Sequence, residues 1–367
     1  MATDRWERIQ ELFGEAKRLE APQRYSYLAQ SCPDQELRTV VLEMLEAAET
    51  ARLEVESKLL TQESADGPDR PIPIEGDSFG GYRVGGKLGS GGMADVYLAT
   101  RADDPEGPPV ALKILRNPAS SAEGIRRFHR EREMLSRLDH PGIAAILDDG
   151  ISEGGQPYLV IEHVDGMSLP DYVTRHRVPV QERVRLFLDI CESVGFAHDR
   201  QILHRDLKAS NVLVTAEGRV VLLDFGIGKP VGPSDALDAS TVTPAGIRLL
   251  TPANAAPEQV TGAPVSVRTD IYALGLVLYE LVAGRPALNH RRISWFEWER
   301  RVQEVRPPPP SEVADLGSSD PAGVVRDALR GGVDAVILTC LEKDPAARYG
   351  SVRELAAALQ SATAGQG

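Results

Sequence analysis

Two short stretches decide the fold of this chain: HRDLKASN at residues 204–211 and DFG at residues 224–226. The first follows a long helical pattern of apolar residues, and the second follows a short run typical of a β-strand. Together they place the acids Asp206 and Asp224 and the amide Asn211 on two loops that bracket a hairpin. Carboxylate and amide oxygens are hard ligands that suit Mg²⁺, which also keeps phosphate and water as ligands. Either stretch alone is also compatible with chance.

A glycine-rich run lies upstream, between two predicted strands. It reads Leu88, Gly89, Ser90, Gly91, Gly92, Met93, Ala94, Asp95 and Val96. Glycines let the backbone approach phosphates closely and offer N–H groups to them. A strand follows the run, whereas a helix follows the dinucleotide-binding fingerprint. Alone, the run is equally compatible with a plain hairpin turn.

A lysine occurs in the apolar strand pattern of residues 110–113. A lysine among apolar neighbours needs an anionic partner. The helix predicted near residues 121–138 offers Glu131, which falls on its apolar face. We therefore expect an ion pair between Lys113 and Glu131; the alternative is that Glu131 is a surface acid among neighbouring arginines.

The order of the elements separates the chain into parts. Short β-type runs dominate residues 82–164, and helical periodicity dominates from about residue 179. The predicted strands are Tyr82–Leu88, Val96–Thr100, Val110–Leu115, Ala144–Gly150 and Tyr158–His163. Residues 1–60 are predicted to form a small helical module and residues 61–80 a linker. A plain helical spacer and a regulatory or self-association module remain open for residues 1–60.

Composition narrows the class of protein. The 367 residues carry 54 acidic and 41 basic side chains, a net charge of −13. This charge argues against a general nucleic-acid binder, although local charge can still attract an anionic ligand. Three separated cysteines indicate neither a disulfide framework nor a zinc site. The start is charged, and the longest apolar stretch, Ile271–Tyr279, falls short of the roughly 18 residues of a membrane span. We expect a soluble, cytoplasmic protein without a membrane span.

Taken in order, the motifs resemble those of the bacterial eukaryotic-type serine/threonine protein kinases. The glycine-rich hairpin, strand lysine, helix glutamate, HRD…N and DFG are followed by Ala256-Pro257-Glu258. The resemblance covers about residues 82–360. It implies an α+β, two-lobed protein-kinase fold within a domain at 81–361. The N-lobe, about 81–164, would be an antiparallel β-sheet with one key helix, and the C-lobe, about 165–361, would be mainly helical.

The resemblance also implies roles for individual residues in ATP- and Mg²⁺-dependent phosphorylation of protein Ser/Thr hydroxyls, with Mn²⁺ as an alternative metal. Asp206 would orient the substrate hydroxyl and accept its proton, and Lys208 would neutralise the transferred phosphoryl group. Lys113, positioned by Glu131, would hold the ATP phosphates, and Asn211 and Asp224 would bind the metal. The implied nucleotide-binding residues are Lys113, Leu88, Gly89, Ser90, Gly91, Gly92, Met93, Ala94, Asp95, Val96, Ala111, Glu162, Val164 and Leu213.

Two further acid–base pairs follow from the same resemblance. Asp270 is expected to be a buried acid that anchors the catalytic loop, and Arg348 is expected to pair with Glu258. The segment from Asp224 to Glu258 has no apolar periodicity, and long segments of this kind are usually functional. We predict autophosphorylation at Thr241 or Thr243, with Ser240 as a further candidate; a merely solvated loop is the alternative.

Two competing interpretations apply to the same motifs. Small-molecule kinases typically lack both the arginine of HRD and the APE segment, and this chain has both. Pseudokinases usually lack the strand lysine, the HRD aspartate or the DFG aspartate, and all three are present. Ala94, Ala209, Leu250 and Asn254 depart from the common pattern and bear on peptide docking and activation. An active protein kinase that takes protein substrates is therefore favoured.

Overall fold

The structure, a computed structural model, describes isolated positions between Tyr27 and Val41 and most of the chain from Glu75 onward. The continuous described ranges are 75–90, 94–115, 128–129, 132–152, 155–225, 254–288, 295–314 and 322–364. Several predicted site residues lie outside these ranges: Glu131, Gly91, Gly92, Met93, Ser240, Thr241 and Thr243. The predictions made for those residues stay predictions.

The chain divides into two compact units, and the smaller one contains Met1–Pro71. Within it, Tyr27, Leu28, Ser31, Arg38 and Val41 are helical, in line with the helical pattern at those positions. Leu28 and Val41 are buried. The larger unit carries all the motifs of the predicted site that the structure describes.

The strand-rich part of the larger unit forms one antiparallel sheet of six strands. Its strands are β1 (Ser78–Phe79), β2 (Tyr82–Ser90), β3 (Ala94–Arg101), β4 (Val110–Leu115), β5 (Ile146–Ile151) and β6 (Pro157–Glu162). Their spatial order is β1-β2-β3-β4-β6-β5. Ser78 and Phe79, which the sequence analysis placed in the linker, pair with β2 as a further strand. The bounds of β4 coincide with the predicted strand.

Strand β4 is central in this sheet, and its register fixes the surroundings of Lys113. Val96 of β3 and Leu159 of β6 lie directly opposite Lys113. Alternate side chains of a strand point to opposite faces of the sheet. The face opposite Lys113 is closed by a buried cluster that includes Leu112, Val160 and Tyr97. The sheet therefore supplies a rigid support for one charged side chain.

The remainder of the larger unit is mainly helical. Its helices are α1 (Leu169–Arg175), α2 (Val180–His198), α3 (Pro257–Thr261), α4 (Val267–Ala283), α5 (Trp295–Glu304), α6 (Pro310–Val313), α7 (Ala322–Leu329), α8 (Gly332–Cys340) and α9 (Val352–Ala364). Helix α4 is buried nearly all round, because α2, α8 and α9 pack around it. Tyr272, Tyr279 and Phe187 are among the largest side chains of this core.

A second, three-stranded sheet lies among the helices. Strands β7 (Gly166–Ser168), β8 (Val212–Thr215) and β9 (Val220–Leu222) pair in that order, all antiparallel. Strands β8 and β9 form the hairpin that the sequence predicted between the HRD and DFG stretches. Helix α1 precedes the predicted onset of helical structure at about residue 179. The two-lobed kinase fold is thereby confirmed.

Two further sequence predictions bear on the chemistry of the chain. Cys32, Cys191 and Cys340 are free thiols and are buried. Burial raises the pKa of the thiols of Cys191 and Cys340, so neither is a reactive thiolate. No helix among the described residues combines the length and the apolar character needed to cross a bilayer.

Candidate active site

The HRD stretch is held in place by the buried carboxylate of Asp270, in the first turn of α4. Asp270 Oδ2 accepts a hydrogen bond from the backbone N–H of His204 at 2.8 Å, and Oδ1 accepts one from the N–H of Arg205 at 2.9 Å. Oδ2 also lies 2.7 Å from Nε2 of His198, the last residue of α2. The loop is therefore tied to the two central helices. The sequence analysis anticipated the role of Asp270, and the contacts confirm it.

The negative charge of the Asp270 carboxylate is stabilised by neighbouring groups. Burial alone would raise the pKa of Asp270, yet the hydrogen bond and charge of His198 outweigh burial and hold that pKa below its ordinary value. Burial lowers the pKa of His204. Its ring stacks on Phe225 with centroids 4.5 Å apart, and neither ring nitrogen has a partner among the described residues. His204 therefore joins the HRD and DFG stretches through ring packing.

The β8–β9 hairpin brings Asn211 and Asp224 to the same place. Val212 lies opposite Leu222 in the register of the hairpin. Beyond that pair, the N–H of Leu223 donates to the carbonyl of Asn211 at 2.7 Å. Asn211 Nδ2 donates to the carbonyl of Asp206 at 3.2 Å. The HRD stretch and the DFG stretch are thus joined through two hydrogen bonds of Asn211.

Lys113 extends from β4 to the DFG stretch, where its Nζ forms an ion pair with Oδ1 of Asp224. The Lys113 side chain is buried, whereas 37% of the Asp224 side chain is exposed. Burial of an ammonium group requires such a partner. The sequence analysis expected Glu131 as the partner, and Glu131 lies outside the described residues. The contact with Asp224 was not predicted.

Arg205 and Asp224 adopt left-handed backbone conformations, with φ of 62° and 63°. Residues with a Cβ atom rarely occupy this region, and strain of this kind clusters at functional sites. Asp270 holds the N–H of Arg205, and Gln259 Nε2 donates to its carbonyl at 3.0 Å. Asp224 is held by Lys113. The strained backbone is therefore fixed by polar contacts on both loops.

Only the base of the glycine-rich run falls within the described residues. Asp95, which is buried, accepts a hydrogen bond from Ser90 Oγ at 2.8 Å and lies 2.7 Å from Lys87 Nζ. Its carboxylate thus links β2 and β3 at the point where the run begins and ends. We predicted Asp95 as a nucleotide-binding residue, and the structure shows its side chain engaged within the sheet. Leu88 is 49% exposed.

Two of the implied nucleotide-binding residues come together although they lie on different elements of the chain. Val164 and the partly buried Leu213 belong to one apolar cluster. The carboxylate of Glu162 accepts from the N–H of Ala145 at 3.3 Å, and its N–H donates to the carbonyl of Ala145 at 2.8 Å. Arg219 also lies 3.7 Å from that carboxylate. The side chain of Glu162 therefore connects the end of β6 to Ala145 and Arg219.

A buried ion pair lies within the mainly helical part. Arg348 donates two hydrogen bonds to Glu258, at 2.8 and 2.9 Å, and Thr269 Oγ1 donates a third at 2.8 Å. Glu258 belongs to α3. The next residue of that helix, Gln259, donates a hydrogen bond to the carbonyl of Arg205. The predicted pair of Glu258 and Arg348 is confirmed. The pair ties the APE segment to the chain just before α9, and the contact of Gln259 with Arg205 links the same segment to the HRD stretch.

Sequence reasoning missed three groups that shape this site: His198, Gln259 and the stacked pair of His204 and Phe225. His198 ends an apolar helix, where a cation interacts favourably with the helix dipole, but that signal is weak. Gln259 follows the APE motif directly and carries no pattern of its own. The ring stack joins residues from two separate motifs, so no local spacing reveals it.

The oxygens of Asn211 and Asp224 suit Mg²⁺, which needs few protein ligands, and do not form a metal site built from protein ligands alone. The described residues contain no group of three or more His, Cys, Asp or Glu side chains placed to hold a metal. Mg²⁺ typically takes one or two protein oxygens and completes its shell with phosphate and water. Asp224 offers a partly exposed carboxylate. The Nδ2 of Asn211 is bound to Asp206, which leaves Oδ1 for a cation.

Comparison with known proteins agrees with this arrangement. The family model for the protein kinase domain matches residues 82–360. The chain is 39% identical over 284 residues to the probable serine/threonine-protein kinase PknB of Corynebacterium glutamicum, covering 76% of this chain and 41% of that protein. It is 35% identical over 292 residues to serine/threonine-protein kinase PknB of Mycobacterium leprae, covering 78% and 43%. The chain spans about two fifths of the length of these relatives.

A solved structure gives the same result. The kinase domain of Mycobacterium tuberculosis PknI matches with a TM-score of 0.59 and 30% sequence identity. The match covers 80% of this chain and 99% of that domain. Sequence and fold thus agree over the part of the chain that carries the HRD, DFG and APE motifs. The chain belongs to the protein kinase domain family, among its bacterial eukaryotic-type serine/threonine members.

Proposed function

We propose that this chain is a serine/threonine protein kinase that transfers the γ-phosphoryl group of ATP to Ser/Thr hydroxyls of protein substrates. One observation carries the proposal: contacts join Asp206 to Asn211, Asn211 to Leu223, and Asp224, the residue after Leu223, to Lys113. These residue types are what phosphoryl transfer needs, because catalysis there is mostly alignment and neutralisation of charge. The names of the relatives support the serine/threonine class.

Each of these side chains has a task that follows from its chemistry. Lys113, a buried ammonium, offers its charge to the phosphates of ATP. Asp206 accepts a hydrogen bond from the substrate hydroxyl and takes up its proton during transfer. Lys208, two residues further along the same loop, neutralises the transferred group. Asn211 and Asp224 would hold Mg²⁺, or alternatively Mn²⁺, and the bound metal supplies charge neutralisation on the phosphate oxygens.

The walls of the nucleotide site follow the same proposal. Leu88, Val96, Ala111 and Leu213 would pack on the adenine ring, and the backbone of Glu162 to Val164 would meet its polar edge. The glycine-rich run from Gly89 to Val96 would cover the phosphates with its N–H groups. The link of Asp95 with Ser90 and Lys87 supports this by fixing both ends of the run.

Regulation by phosphorylation is part of the proposal. Phosphate on Thr241, Thr243 or Ser240 would add about −1.5 to −2 charges. Arg205 is suited to receive it, because its Nε is buried and has no hydrogen-bond partner among the described residues. A phosphate there would satisfy this donor and bias the HRD stretch directly. We further propose that residues 1–60 serve self-association or a regulatory partner and that the protein acts in the cytoplasm.

Phosphoryl transfer by the purified chain tests the proposal. The full chain is incubated with labelled ATP, Mg²⁺ and a generic basic protein substrate, next to Asp206→Asn and Lys113→Met. We expect transfer to serine or threonine by the wild type and loss of more than about a hundredfold in either variant. Nucleotide binding without turnover in the wild type would instead favour a pseudokinase, and phosphorylation of small molecules alone would favour the other alternative.

Phosphopeptide mapping of the same samples tests the regulatory part. We expect phosphate on Thr241, Thr243 or Ser240 in the wild type and none in Asp206→Asn. An active wild-type enzyme whose 224–258 segment stays unmodified would contradict autophosphorylation there. Light scattering before and after removal of residues 1–60 tests the self-association.

A further inference from the structure

Two neighbouring acids of β5 point to opposite faces of the six-stranded sheet. Asp148 Oδ2 accepts a hydrogen bond from Tyr82 at 2.9 Å, on the face that holds the buried cluster of Tyr82 and Val160. Asp149 must therefore point to the other face. The side chain of Asp149 is only 11% exposed. A carboxylate buried to this degree is retained only with charged or polar partners.

The partners of Asp149 come from the helical segment that precedes β5. Arg132 Nε lies 2.9 Å from Oδ1 of Asp149, which is an ion-pair distance without hydrogen-bond geometry at that N–H, and His129 Nδ1 lies 3.1 Å from Oδ2. The two residues are three positions apart, so in a helix they share one face. Each oxygen of the carboxylate thus engages a different residue of the segment. Two contacts of this kind restrict both the height and the rotation of a helix, whereas one would leave rotation free.

The contacts of Asp149 with His129 and Arg132 form a clamp on the helical segment. The strand register places this clamp on the face of the sheet that carries Lys113. Asp149 lies opposite Leu159, and Leu159 lies opposite Lys113. Directly opposite residues of antiparallel strands point to the same face. Asp149 and Lys113 therefore lie in one row on one face, two strand spacings or about 10 Å apart. Leu159 lies fully buried between them.

We propose that Asp149 is a positioning residue for the phosphoryl-transfer site. It fixes the segment that carries His129 and Arg132, and the sequence places Glu131, the expected partner of Lys113, directly before Arg132. Because Asp149 lies in the same row of the sheet as Lys113, it sets the position of the helical segment relative to Lys113. The inference rests on the proposed kinase function, because the role of Glu131 belongs to it. No motif of the sequence pointed to Asp149.

Steady-state kinetics with three matched variants tests the inference. Asp149→Asn keeps the size of the side chain and removes its charge. Asp148→Asn is the control on the opposite face of the same strand. Glu133→Gln is the control within the helical segment, where Glu133 forms an exposed pair with Arg137. We expect Asp149→Asn to lower kcat/KM for ATP by about tenfold, and both controls to change it less than about twofold.

A double-mutant cycle separates positioning from general stability. If Asp149 acts through Glu131, Asp149→Asn has little further effect once Glu131→Gln is present. The same tenfold loss in both backgrounds would overturn the inference, as would wild-type kinetics in the single variant. All assays are run well below the unfolding temperature of the least stable variant.

Hydrogen exchange provides a readout that does not depend on turnover. We expect faster amide exchange over residues 128–135 in Asp149→Asn than in Asp148→Asn. Unchanged exchange there would overturn the inference even in an active enzyme. A wild type that lacks turnover would instead contradict the proposed function, and the exchange experiment would still decide the role of Asp149.

Discussion

Arg348 and Glu258 face each other through two hydrogen bonds of 2.8 and 2.9 Å, although 90 residues separate them in the chain. Both side chains are almost fully buried. The guanidinium group also donates to the carbonyls of Glu342, Lys343 and Arg268 and packs over the ring of Tyr272. The guanidinium group thus makes five hydrogen bonds, one for each of its N–H donors. A pair so fully satisfied tolerates burial, whereas either partner alone would not.

Loss of one partner of this pair should therefore be costly. We expect Arg348→Ala to lower the free energy of unfolding by about 3–5 kcal/mol, because it leaves the carboxylate of Glu258 buried and unpaired. Urea unfolding followed by circular dichroism measures the change. Arg137→Ala, in the exposed pair with Glu133, serves as the control and should leave the transition where it is. Equal effects of the two substitutions would refute the buried-pair argument.

Asp270 should matter for both stability and turnover. Asp270→Asn removes the charge that accepts bonds from two backbone N–H groups and contacts His198. We expect a loss of about 1.5–3 kcal/mol in stability and a clear fall in kcat, since the HRD stretch loses its anchor. The control is Asp334→Asn. That buried acid accepts bonds from the N–H and Oγ of Ser311, in the helical part. It should lower stability but not kcat, and a fall in kcat there would contradict the assignment.

Lys343 predicts a pH dependence of stability. Burial, followed by the charge of Arg348, lowers the pKa of Lys343 to about 8 from its ordinary 10.5. Between those values the unfolded chain binds more protons than the folded chain, so this group makes stability rise with pH. We expect Lys343→Met to be more stable than wild type at pH 7, with a difference that shrinks as the pH rises from about 8 towards 10.5.

The measurement is the difference in unfolding free energy between wild type and Lys343→Met across this range. Contributions of other titrating groups cancel in the difference. A gap that stays constant with pH would show that the ammonium of Lys343 is not depressed in the folded state.

Gly150 predicts a steric effect in the sheet. A Cβ atom at Gly150 would overlap the ring of Tyr158, which lies opposite it in the β5–β6 pairing. We expect Gly150→Ala to destabilise the fold by about 1–3 kcal/mol, as overpacking does. Gly195→Ala in α2 is the control, because no atom lies within 4 Å of an added Cβ there. It should stabilise by about 0.5–1 kcal/mol. Thermal unfolding of both variants and the wild type measures the two changes. A Gly150→Ala variant as stable as the wild type would contradict the steric argument.

Local patterns predicted much of the fold. Strand β4 was predicted with its observed bounds, and the hairpin between Asn211 and Asp224 was recognised from the spacing of two motifs. These elements succeed because alternation and apolar runs report burial within a few residues. Strand β1 was missed, since Ser78 and Phe79 form a strand only through pairing with β2. Two residues carry too little periodicity to show it.

The candidate site divides in the same way. Asp206, Asn211 and Asp224 could be singled out from their motifs, and their roles, like the pair of Glu258 and Arg348, followed from the resemblance. The contact of Lys113 with Asp224, the clamp on Asp149 and the role of His198 could not be named. Each depends on the approach of elements far apart in the chain. The types of the two residues that no motif marked, His198 and Asp149, are common on any surface.

The ion pair between Lys113 and Asp224 has a consequence for the thermodynamics of ligand binding. Each group neutralises the other. A phosphate that binds Lys113 alone leaves the carboxylate of Asp224 without its counter-charge, and a cation that binds Asp224 alone leaves the ammonium of Lys113 without one. Only joint arrival of anion and cation satisfies both. Nucleotide and divalent metal should therefore bind with positive heterotropic coupling, each raising the affinity for the other by the same factor.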